Sequence, residues 1–250
     1  MANLTGTVAV VTGASRGIGA ASVRALADSG AKVVIGYWQH EGEATALVDQ
    51  LVDDGKIAYA ARVDVTDRAS VRGFVNQAME THGRIDVAVN SAGLAVWQEF
   101  LEITDEDWAR QLAVNATGVF QVCQEVARIM RQQGKGKIIN ITSITGQRAD
   151  PELVAYSAGK SAAEMLTRGM AAALGRYNIT VNAILPGTTP TEMNRQNLAR
   201  PGVRKMLESR TPLGRLGLPT DTAAVVAFLA SPDADYITGA SIVVDGGFMT

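Results

Sequence analysis

Seven short runs rich in β-branched and apolar residues punctuate the chain: TVAVVT, KVVIGY, IAYAARV, DVAVN, GKIINIT, ITVNAIL and, near the end, SIVVD. Stretches of helical periodicity lie between most of them. Two of these, GAASVRALADSG and RASVRGFVNQAMETHG, close on a glycine that suits the position just past a helix C-terminus. Strands alternating with helices imply right-handed crossovers, and repetition of that unit gives a parallel sheet covered on both faces. The alternation therefore predicts an α/β fold with a doubly wound parallel sheet of about seven strands. The 250 residues, 47% hydrophobic, suffice for a sizeable core and are read as one domain, 1–250. From Pro186 to about Leu218 the alternation breaks into proline-rich, polar sequence with a weak helical pattern around VRKMLESR. A long irregular insertion after a late strand reads as a substrate loop or lid, 186–218.

Composition narrows the partners. A net charge of -2 lacks the lysine and arginine surplus that sequence-independent nucleic-acid binding needs. No apolar run reaches the roughly 18 residues of a membrane span, and the amino terminus shows no basic-then-apolar leader, so a cytoplasmic setting is expected. Cys123, the only cysteine, lies in FQVCQEVARIM, which reads as the inner face of a helix. His82 falls in the last turn before Gly83, where a cationic ring would cap the negative end of the helix dipole.

Directly after the first strand comes TGASRGIG. Gly13, Gly17 and Gly19 allow a tight turn and a close backbone approach, and the following helix presents free N–H groups to a pyrophosphate. The spacing is G-x-x-x-G-x-G, different from the commoner G-x-G-x-x-G, but its place in a βαβ unit marks a nucleotide site. An acid near the end of the second strand would bind the ribose 2′-hydroxyl of NAD; none stands at Gly36 or Tyr37. Arg16, Gln39 and His40 could instead face a 2′-phosphate, which favours NADP over NAD. His40 equally suits a surface loop with no ligand contact.

Residues 156–160 read YSAGK. On a helix, positions i and i+4 share a face, so the phenol of Tyr156 and the ammonium of Lys160 project toward the same point. Taken alone, the five residues also describe an exposed aromatic and lysine on a solvated surface.

Jointly, TGASRGIG, NSAG at 90–93, Asn115 in LAVNATG, Ser143 in INITSITG, YSAGK, LPG at 185–187 and the closing ITGASIVVDGG resemble the short-chain dehydrogenase/reductase family along essentially the whole chain. One departure is Ser91, where many members carry a second asparagine. The resemblance implies Asn115, Ser143, Tyr156 and Lys160 as the catalytic set. Ser143 would donate to the substrate oxygen, and Tyr156 would be the general acid or base. Lys160 and an oxidised nicotinamide would lower the phenol pKa from its ordinary value of about 10. Asn115 would bend its helix and hold a water that links the lysine to solvent; locally it is an awkward helix-interior residue. Cofactor contacts are implied for Gly13, Ser15, Arg16, Gly17, Ile18, Gly19, Tyr37, Gln39, His40, Asp64, Val65, Asn90, Ala92, Gly93, Tyr156, Lys160, Pro186, Gly187, Thr188 and Thr191. For Asp64 an adenine contact stands beside a helix cap. No metal is implied, and family members commonly form homotetramers.

The substrate is less legible. LPGTTPTEMN and RTPLGRLGLPTD resemble segments of bacterial sugar 1-dehydrogenases, with Thr188, Thr191 and Asn194 as candidates to line a polar pocket. Reductases of carrier-bound 3-oxoacyl groups have a similar tail, yet they usually carry an arginine soon after the NAG motif, where this chain reads GLAVWQEF. Trp97 suits either a sugar face or loop packing; Gln147, Arg148 and Glu152 are possible hydroxyl partners. An aldose or polyol dehydrogenase is the leading reading, with a reductase of acyl or small carbonyl substrates as the alternative. A nucleotide-binding regulator without activity is disfavoured by the intact set of four.

Overall fold

The computed structural model describes residues 2–250. All seven expected strands form: β1 Val8–Thr12, β2 Lys32–Tyr37, β3 Ala58–Arg62, β4 Val87–Asn90, β5 Gly136–Ile141, β6 Ile179–Pro186 and β7 Ser241–Val244. They pair in parallel in the order β3-β2-β1-β4-β5-β6-β7. Between them run α1 Gly17–Asp28, α2 Glu41–Asp53, α3 Arg68–His82, α4 Asp105–Leu112, α5 Val119–Gln133, α6 Val154–Leu174, α7 Arg195–Leu198, α8 Val203–Arg210 and α9 Pro219–Ala230.

The sheet is buried from both sides, which is why its strands read as continuous apolar runs. Side chains alternate across it: Ala9, Val11, Val33 and Ile35 join the cluster covered by α1, α2 and α9, whereas Val10 and Val34 point into the cluster under α3 and α5. Each valine or isoleucine side chain so buried contributes about 1.5–3 kcal/mol. Local signals set the helix ends. Asp67 caps α3 by accepting from the Ala69 N–H at 2.9 Å, and Gly83 ends it at φ 72°.

The cationic cap expected at His82 does not form. Its ring packs against Tyr59 with centroids 5.6 Å apart, and burial, aided by the nearby Lys32 charge, pushes its pKa down, against the charged form. Cys123 is buried, as expected, and its thiol is pushed up to about 12.

The chain crosses from one half of the sheet to the other between β1 and β4. Open α/β sheets place their ligand crevice at such a reversal, outside the strands' carboxyl ends.

Candidate active site

A cleft of about 880 Å³ opens at that reversal. On one wall the chain leaves β1 through Gly13 at φ 62° and enters α1 at Gly17, φ 59°. A Cβ built on Gly13 would lie 2.6 Å from the backbone of Ala92, and one on Gly19 would collide with the Gly13 carbonyl. Only glycine lets these segments close up so that the N-terminus of α1 faces the cleft. Its leading N–H groups have no partners within the helix and carry the positive dipole end. Gly17 faces Thr191 across the cleft: a Cβ there would meet the threonine methyl at 3.1 Å. Thr191 is held by Asn194, whose Oδ1 accepts from the Thr191 N–H at 2.9 Å.

The opposite wall carries the polar groups. Ser143 stands just past the carboxyl end of β5, 8% exposed. Its oxygen accepts from the Thr145 N–H at 3.1 Å and from the Thr145 hydroxyl at 3.0 Å, which leaves its own proton free to donate. Tyr156 and Lys160 lie one turn apart on α6, the ammonium 5.6 Å from the phenol ring centroid. Lys160 is 3% exposed and donates to the Ile141 carbonyl at 2.9 Å, using one of its three protons.

Burial governs both titrations. It pushes the Tyr156 phenol up to about 12, against which the Ser143 hydrogen bond pulls in the lowering direction. It also pushes the Lys160 ammonium down to about 8. Any lowering that Lys160 and an oxidised nicotinamide exert together has to overcome this desolvation of the phenol.

A buried lysine of this kind has a pH signature. Below about pH 8 both folded and unfolded chains hold the charge, and the folded chain carries the full desolvation cost, roughly 3 kcal/mol at 1.36 kcal/mol per pKa unit. The cost is relieved as pH rises from about 8 toward the unfolded value of about 10.5. Lys160→Met removes it, so the variant's melting temperature should exceed that of the native chain at pH 7, and the gap should narrow by pH 10. A gap independent of pH would contradict this.

Behind these residues, between α4 and α5, the helix widens into a π turn over Ala113–Gly118. Asn115 sits in it, fully buried. Its amide donates to the Leu94 carbonyl at 2.6 Å, and its oxygen accepts from the Leu94 N–H at 3.1 Å. The π turn falls at the position where the resemblance implies a disturbed helix. A Cβ built on Gly93 would lie 3.4 Å from the Asn115 oxygen and 3.5 Å from the Lys160 nitrogen, so the three groups converge. Gly159 makes this possible, since a Cβ there would come within 2.8 Å of the Asn115 Cβ. Asn115 itself lies behind the cleft wall rather than in it.

Most of the predicted cofactor residues line the cleft: Gly13, Ser15, Arg16, Gly17, Ile18, Gly19, Gln39, His40, Asp64, Val65, Ala92, Gly93, Pro186, Gly187, Thr188 and Thr191. Asp64 accepts from the N–H and hydroxyl of Thr66, and the cap of α3 is Asp67 instead. Two do not line it. Tyr37, 9% exposed, turns into the core cluster under α1 and α2, and Trp38 takes the cleft position. Asn90 turns the other way, donating to Asn140 at 2.8 Å and to the Cys123 sulfur at 3.1 Å; Ser91 lines the cleft in its place. Gln147 points away to Glu164, whereas Trp97, Arg148 and Glu152 line the cleft, Glu152 with its carboxylate held by Arg200. Arg210 and Phe248 also line it; neither carries a local sequence signal.

A glycine-built phosphate cradle facing a buried serine and lysine and a half-buried tyrosine defines a site for a dinucleotide and an alcohol or carbonyl: the site of a nicotinamide-dependent oxidoreductase. A family model described as enoyl-(acyl carrier protein) reductase matches residues 13–249. The L-rhamnose 1-dehydrogenase (NAD(P)(+)) of Sphingomonas sp. is 39% identical over 245 residues, covering 98% of this chain and 96% of that protein. The 3-oxoacyl-[acyl-carrier-protein] reductase of Synechocystis sp. is 39% identical over 250 residues, covering 100% and 99%. Among solved structures, a gluconate 5-dehydrogenase from Burkholderia cenocepacia, in complex with NADP and tartrate, superposes with a TM-score of 0.94 at 38% identity, covering 99% of this chain and 96% of that one. The chain belongs to the short-chain dehydrogenase/reductase family, whose members are NAD(P)-dependent oxidoreductases.

Proposed function

We propose that this enzyme oxidises a secondary alcohol of a sugar or polyol, or reduces the corresponding carbonyl, with NADP as the favoured cofactor. The observation that carries this reading is the convergence of Ser143, Tyr156 and buried Lys160 on the cleft wall opposite the glycine cradle. The cradle fits a pyrophosphate, because added Cβ atoms at Gly13 and Gly19 would block the backbone approach. Arg16, Trp38, Gln39 and His40 line the end that would receive the adenosine ribose, and no acid stands among those four, which favours a 2′-phosphate.

When bound, the oxidised cofactor supplies a hydride acceptor and a positive charge beside the phenol. In that field Tyr156, as phenolate, takes the hydroxyl proton of the substrate, and in the reverse direction the phenol returns it. Ser143 donates its proton to the reacting oxygen. Lys160 keeps two protons for the ribose hydroxyls, and Asn115 keeps the π turn open so that a water can pass the proton onward. Residues 186–218, with α7 and α8, close over the substrate.

The rhamnose dehydrogenase relative and the polar side chains Thr188, Thr189, Asn194 and Asn197 in the cleft support a polyhydroxy substrate. The 3-oxoacyl reductase relative, with Met193, Met206 and Leu207 on the same side, supports an acyl carbonyl as the second reading. A cytoplasmic homotetramer completes the proposal, supported by exposed Phe120, Met165, Phe228 and Val243; no helix among the described residues is long and apolar enough to cross a membrane. The test is NAD(P)H absorbance across a panel of sugars, polyols and 3-oxoacyl thioesters with each cofactor. Turnover of a sugar or polyol, faster with NADP than NAD, is expected. Turnover of thioesters alone would replace this reading with the second.

A further inference from the structure

One group of charges in the cleft lies outside the chemistry described so far. Arg148 follows the 3-10 turn Ile144–Gly146, fixed by its N–H donating to the Ile144 carbonyl at 2.9 Å. Arg210 is the last residue of α8. Phe248, beyond β7, packs against Ile144, the residue after Ser143, and against Ala183 and Leu185. The two guanidinium carbons lie 4.9 Å and 5.0 Å from the centre of the Phe248 ring, and both arginines line the cleft that holds Tyr156.

The nearby carboxylates are committed elsewhere. Glu152 binds Arg200 at 2.8 Å, Glu192 binds Arg195 at 2.9 Å and Glu208 binds Arg204 at 3.3 Å. Asp150 accepts from the Glu152 N–H at 3.0 Å. Among the described residues neither Arg148 nor Arg210 has a carboxylate within salt-bridge distance. Stacking on one ring positions two cations but neutralises neither. Two guanidinium forks that share one aromatic platform at the substrate end of a pocket are matched by a planar anion that both can chelate.

We propose that Arg148 and Arg210, oriented by Phe248, form a carboxylate subsite, and that the substrate is a polyhydroxy or hydroxy acid rather than an uncharged sugar. The inference rests on the dehydrogenase reading above and narrows its substrate class. The alcohol carbon gives a hydride to NADP, its hydroxyl proton passes to Tyr156, and the product is an oxo acid whose carboxylate is untouched.

The test is calorimetric binding, followed by turnover, of glycerate, threonate and gluconate, each beside the polyol with CH2OH in place of the carboxylate: glycerol, threitol and glucitol. At least one acid should bind about tenfold or more tighter than its polyol, and the preference should shrink as salt is raised. In R148Q/R210Q the preference should vanish. In R148K/R210K part of it should return, which separates charge from packing on Phe248. Equal binding of acids and polyols, or a preference that survives R148Q/R210Q, would overturn the subsite while leaving the polyhydroxy reading standing. Binding of neither class would overturn both.

Discussion

Replacing Tyr156 by phenylalanine should lower kcat by about 10²–10⁴-fold with the best substrate, the range that a positioned general acid–base contributes. The substitution removes one oxygen and leaves the ring that faces Lys160. The only hydrogen bond that bears on the phenol's titration is from Ser143, so folding stability should change by no more than about 0.5–1.5 kcal/mol. Binding of NADPH, followed by its fluorescence, should stay within a few-fold of the native value. Loss of turnover accompanied by collapse of cofactor binding would instead make Tyr156 a structural residue. The phenol is pushed up to about 12 by burial, so it is a poor base on its own. The oxidation rate should therefore climb through the alkaline range, while reduction, which needs the protonated phenol, should not.

The second large effect is expected at Gly13. Gly13→Ala places a methyl where the left-handed backbone costs about 1–2 kcal/mol. That methyl also lies 2.6 Å from the Ala92 backbone, an overpacking that adds about 1–3 kcal/mol. Ala92 cannot easily withdraw, because it lies two residues beyond the strand pair in which Thr12 faces Asn90. A total loss of about 2–5 kcal/mol corresponds to a melting point lower by about 4–20 °C in a domain of this size. Cofactor affinity should fall with it, since the cradle must open. Gly55→Ala is the control: φ is 74°, yet nothing lies within 4 Å of the added carbon. It should show the backbone cost alone. Equal losses at the two glycines would mean that close approach to Ala92 contributes nothing.

The strands were legible because both faces of the sheet are covered, which leaves each as an apolar run bounded by turn residues. The catalytic tyrosine and lysine were legible because helical spacing alone puts them on one face. The misplacements of Tyr37 and Asn90 share one cause. Strand side chains alternate, and a shift of one residue at a strand's end exchanges a core position for a cleft position. Tyr37 and Asn90 turn inward, and Trp38 and Ser91 occupy the cleft. Asn115 announced a disturbed helix through its poor helical propensity, but nothing local revealed that its amide would pair with both backbone groups of Leu94. Arg210 and Phe248 were invisible because the tail after β7 packs on β6 and Ile144 and meets α8, a contact that no short-range pattern encodes.

The most direct test of the account is a crystal structure of the enzyme with NADPH and an unreactive substrate analogue. The account predicts the Tyr156 oxygen within about 2.6–3.2 Å of the analogue's oxygen at the reacting carbon, with Lys160 on the ribose hydroxyls. A phenol rotated out of hydrogen-bond reach of that oxygen, with the nicotinamide still seated in the cleft, would contradict it.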